Sequence, residues 1–341
     1  MWRYLGKRLL ISVATVVGIV VIVFFIVRVL PGDAAIARAG PYANEEKVAE
    51  IRDKYGFDDP ILVQFYNHVT GVFTGDFGTS IRTDGDVFDE LMDRLPASLE
   101  LAFYSVLLAM LIGIPLGILA AARRGTWIDG SARVFAIFGS SMALFWLGLL
   151  LIYFLFFRLR WFPGPIDRLA IGTEAPQTIT GFYTVDAALR GDFGLMFEAF
   201  RYLALPVITL GFVLAAPILK MVRASMIDAL DSHHVRTAKA IGVSGRSILF
   251  RDGFRNALLP VITAIGIVFG YMLGGNIIVE FLFAWPGIGR YAYSAIQVND
   301  LEALQGFVIV VGVLYVLLNV VIDVSYAWVD PRIRLGKKVS T

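Results

Sequence analysis

The stretch Leu9–Val27 contains no charged residue. A helix of about 19 apolar residues crosses roughly 30 Å of hydrocarbon, whereas the apolar region of a cleaved leader runs only about 7–15 residues. A retained first membrane span is therefore predicted. Comparable apolar stretches recur at Ser98–Ala122, from Asp129–Arg133 to Phe157, at Leu203–Met221, from Leu259 to Glu280, and at Gly306–Trp328. Hydrophobic residues make up 57% of the 341 positions, above the roughly 45–50% usual for soluble domains. The expected fold class is an all-α integral membrane protein with six transmembrane helices.

Charge falls unevenly between the loops. Arg3, Lys7 and Arg8 precede the first span, and Arg123, Arg124 and Arg133 join the second to the third. Lys220, Arg223, Arg236, Lys239, Arg246, Arg251 and Arg255 cluster between the fourth and fifth, and Arg332, Arg334, Lys337 and Lys338 follow the sixth. The only acids on that side are Asp129, Asp228, Asp231, Asp252, Asp323 and Asp330, while acids outnumber cations on the other. Cation-rich loops stay in the cytoplasm, so both termini are predicted inside. The net charge of +2 gives no case for nucleic acid, and the absence of cysteine excludes disulfides, thiolate metal sites and cysteine nucleophiles.

This topology divides the chain into a cytoplasmic head with the first span (1–30), an external lobe (31–97), a five-helix core (98–328) and a cytoplasmic tail (329–341). The core includes an external loop (158–202) and a cytoplasmic loop (224–256). In the lobe, Glu45, Glu46, Glu50 and Asp53 mix with Lys47, Arg52 and Lys54 at the spacing of a solvated helix. Val87–Leu95 reads as a further short helix.

Asp228–Pro260 is the longest polar interruption in the chain. Within it Val235–Ile241 reads as a short helix, Gly242 ends it, and Ser244 is placed to cap the next. The run RTAKAIG (Arg236–Gly242), followed by RNALLPVIT (Arg255–Thr263), resembles the EAA loop of ABC importer permeases, most closely their oligopeptide/dipeptide/nickel branch. The resemblance extends through LPGD (Leu30–Asp33), Gly56–Phe65, FWLGLLLI (Phe145–Ile152), GGNIIVE (Gly274–Glu280), WPGIG (Trp285–Gly289) and DPRIR (Asp330–Arg334). It implies a type I ABC importer permease fold in the inner membrane of a prokaryote. It also implies that Val235, Arg236, Thr237, Ala238, Lys239, Ala240, Ile241 and Gly242 couple the chain to a separate ATPase subunit. The implied partners are a second permease (homologous or identical), two ATP-binding cassette subunits carrying ATP and Mg, and an external or periplasmic solute-binding protein. Peptides are the implied common cargo.

The chain has no GxxxxGK[ST], so it is not itself a P-loop ATPase. HExxH is absent, and His68, His233 and His234 all lie outside the predicted spans, which leaves no basis for an intramembrane protease. Ionisable residues in a membrane are costly and usually functional. Glu280 and Asp323 are the expected examples, with Glu100 at the outer rim. Asn276, Glu280 and Asp323 are candidate pathway residues, and interhelical hydrogen bonding is the competing reading for both acids. Trp285, Pro286, Gly287 and Gly289 form a predicted external hairpin. So few midplane charges argue against the alternative, a self-sufficient secondary transporter or channel.

Overall fold

The computed structural model describes residues 2–29, 34–39, 43–54, 56 and 58–329. The LPGD segment and the tail from Asp330 lie outside the described residues. In order, the helices are α1 (Trp2–Val29), α2 (Ala34–Ala39), α3 (Glu45–Lys54), α4 (Ile61–Thr74), α5 (Val87–Ala122), α6 (Trp127–Ser141) and α7 (Leu144–Leu151). There follow α8 (Tyr183–Leu189), α9 (Phe193–Leu230), α10 (His233–Ala240), α11 (Gly245–Ser247), α12 (Arg255–Gly275), α13 (Ile277–Leu282), α14 (Ile288–Gln297) and α15 (Leu301–Val329). Wider π turns continue α7 over Ile152–Arg158 and lead into α12 over Ile248–Phe254. Among the described residues the only β-pairing is an isolated bridge between Thr79 and Asp86.

Among the described residues, four helical stretches are long and apolar enough to cross a membrane: α5, α9, Gly245–Met272 and Leu301–Ser325. A fifth is made by α6 and α7 with its π turn if that pair is one span, and α1 carries the shorter apolar run Leu10–Ile26. The third span, expected to be continuous, is broken: its two halves meet at 101°. Met142 and Ala143 are both extended at the break. Just before it, Ser140 Oγ donates back to the Ala136 carbonyl at 2.8 Å, a bond that competes with the helical ladder.

Two other helices are longer than expected. Val87–Leu95 is not separate but the first turns of α5, which runs on through Pro96. Asp86 caps it by accepting from the amides of Phe88 and Asp89 at 2.8 and 3.1 Å. Val87 and Leu91 are buried with Ile288, Ala292 and Phe307 of α14 and α15, and this packing holds the helix together across the proline. Likewise α9 starts at Phe193, capped by Asp192, and passes through Pro206 and Pro217. The string LPVIT occurs at Leu205–Thr209 and again at Leu259–Thr263, and the copies lie inside α9 and α12 respectively.

The core is built on α9, packed chiefly against α5. Leu101, Leu210, Ile218 and Val222 are fully buried between these and neighbouring helices. Close approach depends on missing side chains. A Cβ at Gly117 would lie 2.7 Å from Val222 Cβ, and one at Gly211 would lie 2.8 Å from Leu108 Cδ2. Small residues permit such contact where lipid supplies no hydrophobic drive between helices. At the periphery, Val20 and Val23 of α1 pack with Ile309 of α15, and Phe24 meets Phe65 of α4 edge-on at 5.1 Å. The lobe is fastened to the start of α15. Asp300 accepts from Ser80 Oγ at 2.6 Å and the Ile81 amide at 2.8 Å, and Glu302 pairs with Arg38.

Candidate functional site

The predicted coupling segment is a separate short helix, α10, with one fully buried side chain. Val235 is fully buried, while Arg236, Thr237, Lys239, Ala240 and Gly242 are exposed, Ala238 is half-buried, and Ile241 is 76% exposed. The helix ends in a defined hydrogen-bonded closure: the Val243 amide donates to the Ala238 carbonyl and the Gly242 amide to that of Lys239, both at 3.1 Å. Such a closure requires a left-handed residue, and Gly242 has φ +78°. Ala238 is thus the acceptor at one end of the closure, and Gly242 is the left-handed residue just before its other end, Val243. Ser244 then caps α11, accepting from the Ser247 amide at 3.4 Å. The His233–His234 pair is exposed, and Asn256 Nδ2 lies 3.3 Å from His234 Nε2. Among the described residues no three His, Cys, Asp or Glu side chains converge on a metal site.

The base of α10 is tied to α6 by charges that sequence reasoning assigned only to a side of the membrane. Asp129, 2% exposed, receives a two-pronged contact from Arg223, with Nε at 2.6 Å and Nη2 at 3.0 Å. The Gly125 amide adds a third donor at 3.1 Å. Arg124 meets Asp231, at the end of α9, at 3.0 Å. A planar guanidinium matches a carboxylate in this way, so the α5–α6 turn and the end of α9 are fastened together. The signal available in the sequence was an aspartate in the first turn of a membrane helix.

At the opposite end of the bundle, the hairpin after α13 closes over Glu280, which is fully buried. Its carboxylate accepts from Ser98 Oγ at 2.6 Å and from the Arg290 amide at 3.0 Å. Ser98 Oγ in turn accepts from the Ile288 amide at 2.9 Å, and Trp285 Nε1 donates to the Ala97 carbonyl at 2.8 Å. A side chain at Gly287 would collide with Ser98 and Glu280, so the glycines of WPGIG allow the turn to seat on α5. Pro286 lies between Trp285 and Gly287 in this turn. A cavity of about 10 Å³, near the volume that holds one water, lies among Ser98, Met272, Asn276 and Glu280. Asn276 Oδ1 is buried there without a hydrogen-bond partner. Asp323 is buried on α15, away from this cluster in sequence.

The long loop between α7 and α9, predicted to be external, is also docked. Glu100 pairs with Arg168 and accepts from the Thr184 amide and hydroxyl at 3.0 and 2.6 Å. Arg168 lies 3.4 Å above the Tyr183 ring. Asp186 gathers the amides of Ile179, Thr180 and Gly181 at 3.2, 2.8 and 2.9 Å. Burial pushes its carboxyl upward, but the Thr180 hydroxyl and these amides together outweigh that and hold it below the usual carboxylate value.

Residues 113–335 match the family described as "Binding-protein-dependent transport system inner membrane component". Residues 1–102 match the N-terminal membrane component of such systems. The chain is similar to the probable D,D-dipeptide transport system permease protein DdpB of Escherichia coli (strain K12), with 43% identity over 335 residues and 98% of each chain covered. It is similar to the dipeptide transport system permease protein DppB of the same strain, with 35% identity over 343 residues, covering 99% of this chain and 100% of that one. The glutathione transport system permease protein GsiC of Salmonella choleraesuis (strain SC-B67) shares 35% identity over 334 residues, with 98% and 99% covered. With both family matches and relatives of full length, the chain belongs to the binding-protein-dependent inner membrane components and is a multi-pass permease subunit of an ABC importer.

Proposed function

We propose that this permease and a second, homologous one enclose a pathway for dipeptides and similar small peptides. An external binding protein delivers the solute, and two ATPase subunits, holding ATP and Mg, drive the cycle from the cytoplasm. The chain crosses the membrane six times, counting α1 and taking the α6–α7 pair as one span, with both termini inside. The observation that carries this reading is α10. It is a short helix whose one fully buried side chain is Val235, with Arg236, Thr237, Lys239, Ala240 and Ile241 exposed and a glycine closure holding its end. Seated in a cleft of an ATPase subunit, it converts nucleotide-driven closure into a switch between inward- and outward-facing states. Of the three pathway candidates, Asn276, with its free buried oxygen, contacts solute. Glu280 orders the hairpin, and Asp323 serves packing between helices. The names of the relatives support peptide cargo, D,D-dipeptides included.

The test is reconstitution of the complete assembly in liposomes with labelled D-alanyl-D-alanine and L-alanyl-L-alanine. ATP-dependent uptake that requires the binding protein is expected. Ala238→Asp, which puts a charge at the closure of α10, is expected to abolish uptake while leaving membrane insertion intact. Uptake by the purified chain alone, without ATPases, would instead establish a self-sufficient carrier.

A further inference from the structure

The head groups of Lys220 and Arg223 reach opposite ends of α6, although they are one turn apart on α9. Arg223 grips Asp129 in the first turn, while Lys220 Nζ donates to Ser140 Oγ at 2.8 Å, beside the α6–α7 break. Asp129 and Ser140 are about 16 Å apart along α6 at 1.5 Å per residue. The ammonium of Lys220 therefore projects away from the cytoplasmic end of α9, along an exposed face of the chain, to the Ser140 end of α6. A lysine near a membrane interface ordinarily extends its head toward water. Side chains on a helix lean toward its N-terminus, and for α9 that direction is inward, so the membrane interior around this ammonium has to supply polar partners.

The surroundings fit such a supply. Ser140 Oγ already donates to Ala136 and accepts from Lys220, which leaves the ammonium with two further donor positions. Ser140, Ser141, Pro217 and Lys220 are all exposed, as is Ala143 at the break. Pro217 has no N–H to offer the Val213 carbonyl one turn outward. Interrupted backbone at membrane depth is tolerated only inside protein or beside a water-filled cavity, and a charged amine on the same face makes exposure to lipid more costly still.

We propose that Lys220, with Ser140 and Ser141 at the α6–α7 break, forms a water-accessible site on the translocation pathway that receives a carboxylate of the passing solute. The proposal rests on the peptide-importer reading and adds a contact to it. A peptide carries a terminal carboxylate, and a mobile lysine attracts that group as a point charge without a rigid fork, which suits brief occupancy rather than tight binding.

The chain has no cysteine, so a Lys220→Cys variant carries one reporter in an otherwise native chain. In the reconstituted assembly, with cysteine-free partners, Lys220→Cys and Lys220→Met are expected to lower L-alanyl-L-alanine uptake roughly tenfold to a hundredfold, as for a lost charge-assisted hydrogen bond. Aminoethyl methanethiosulfonate, which restores an ammonium on the Lys220→Cys thiol, is expected to recover uptake. The anionic sulfonatoethyl reagent is expected to label the same thiol without recovery. Lys220→Met with uptake equal to the unaltered assembly overturns the site. So does a Lys220→Cys thiol reached only by lipid-soluble maleimide, because that thiol faces lipid. Should Lys220 variants not assemble, labelling of Ser141→Cys by the two water-soluble reagents decides the same question. The unaltered assembly is the separate control: if it moves no dipeptide, the importer reading fails, whatever Lys220 does.

Discussion

Gly242 matters for its backbone alone. Its φ of +78° is strained for any side chain, yet nothing lies within 4 Å of where a Cβ would be. Gly242→Val therefore tests the closure of α10 without a clash, at a cost of about 1–2 kcal/mol. Faster hydrogen exchange confined to the α10 amides is expected, with more ATP hydrolysed per peptide moved; an unchanged ratio would show that the closure does not serve coupling. Glu280 is the opposite kind of residue, one whose partners depend on it. In Glu280→Ala the Ser98 hydroxyl and the Arg290 amide lose their acceptor in a buried site, each at about 1–3 kcal/mol. The thermal midpoint of the purified chain in detergent is expected to fall clearly. Glu280→Gln, which keeps an acceptor, is expected to fall less.

Among elements, the α5–α9 contact sets the architecture. Gly117→Val puts methyl groups against Val222 and is expected to cost about 1–3 kcal/mol or more through overpacking. Gly130→Ala, on α6 with no heavy atom near its would-be Cβ, is expected to be neutral. Since Ala is the better helix former, equal loss of folded yield in both would mean that the close contact at Gly117 is not what its glycine serves. The outer loop depends on Asp186, whose carboxyl sits below its ordinary value. A depressed carboxyl contributes stability above its unfolded pKa, near 3.9, and that contribution is lost as pH falls through the folded value. Asp186→Asn is thus expected to destabilise the chain at neutral pH. The gap from wild type should narrow once pH drops below about 4, and a gap independent of pH would assign the effect to geometry rather than charge.

At the scale of the whole molecule, sidedness is the property to measure. Single-cysteine variants Ser244→Cys and Gly172→Cys lie in loops assigned to opposite faces. In intact cells stripped of their outer membrane, an impermeant maleimide is expected to label only Gly172→Cys; in inverted vesicles, only Ser244→Cys. Labelling of both from one face would remove the topology. The polar links at the two ends of the bundle serve different purposes: Arg223–Asp129 binds α6 to α9 and Arg124–Asp231 binds the α5–α6 turn to the root of α10, whereas Glu280, Glu100 and Asp300 hold loops onto helix ends. In the proposed coupling, a displacement of α10 would be passed to α9 and, through Asp129, to α6.

Apolar run length, a local property, was enough to read membrane residence from the sequence, and turn chemistry was enough to place α10 with its stop at Gly242. The closure of α10 needs only residues five apart, so it too was legible. Contacts between residues far apart in sequence were not. Ser98 lies 182 positions from Glu280, and Asp129 lies 94 from Arg223; no periodicity relates them. The continuity of α5 through Pro96 came from α14 and α15 packing against it, and the 101° bend after Ser141 has no proline to announce it. The sequence assigned Lys220 to a cytoplasmic face by its neighbours along the chain, but side-chain direction on a helix is a three-dimensional property. Only the packing of α6 on α9 put that ammonium beside the break in the third span.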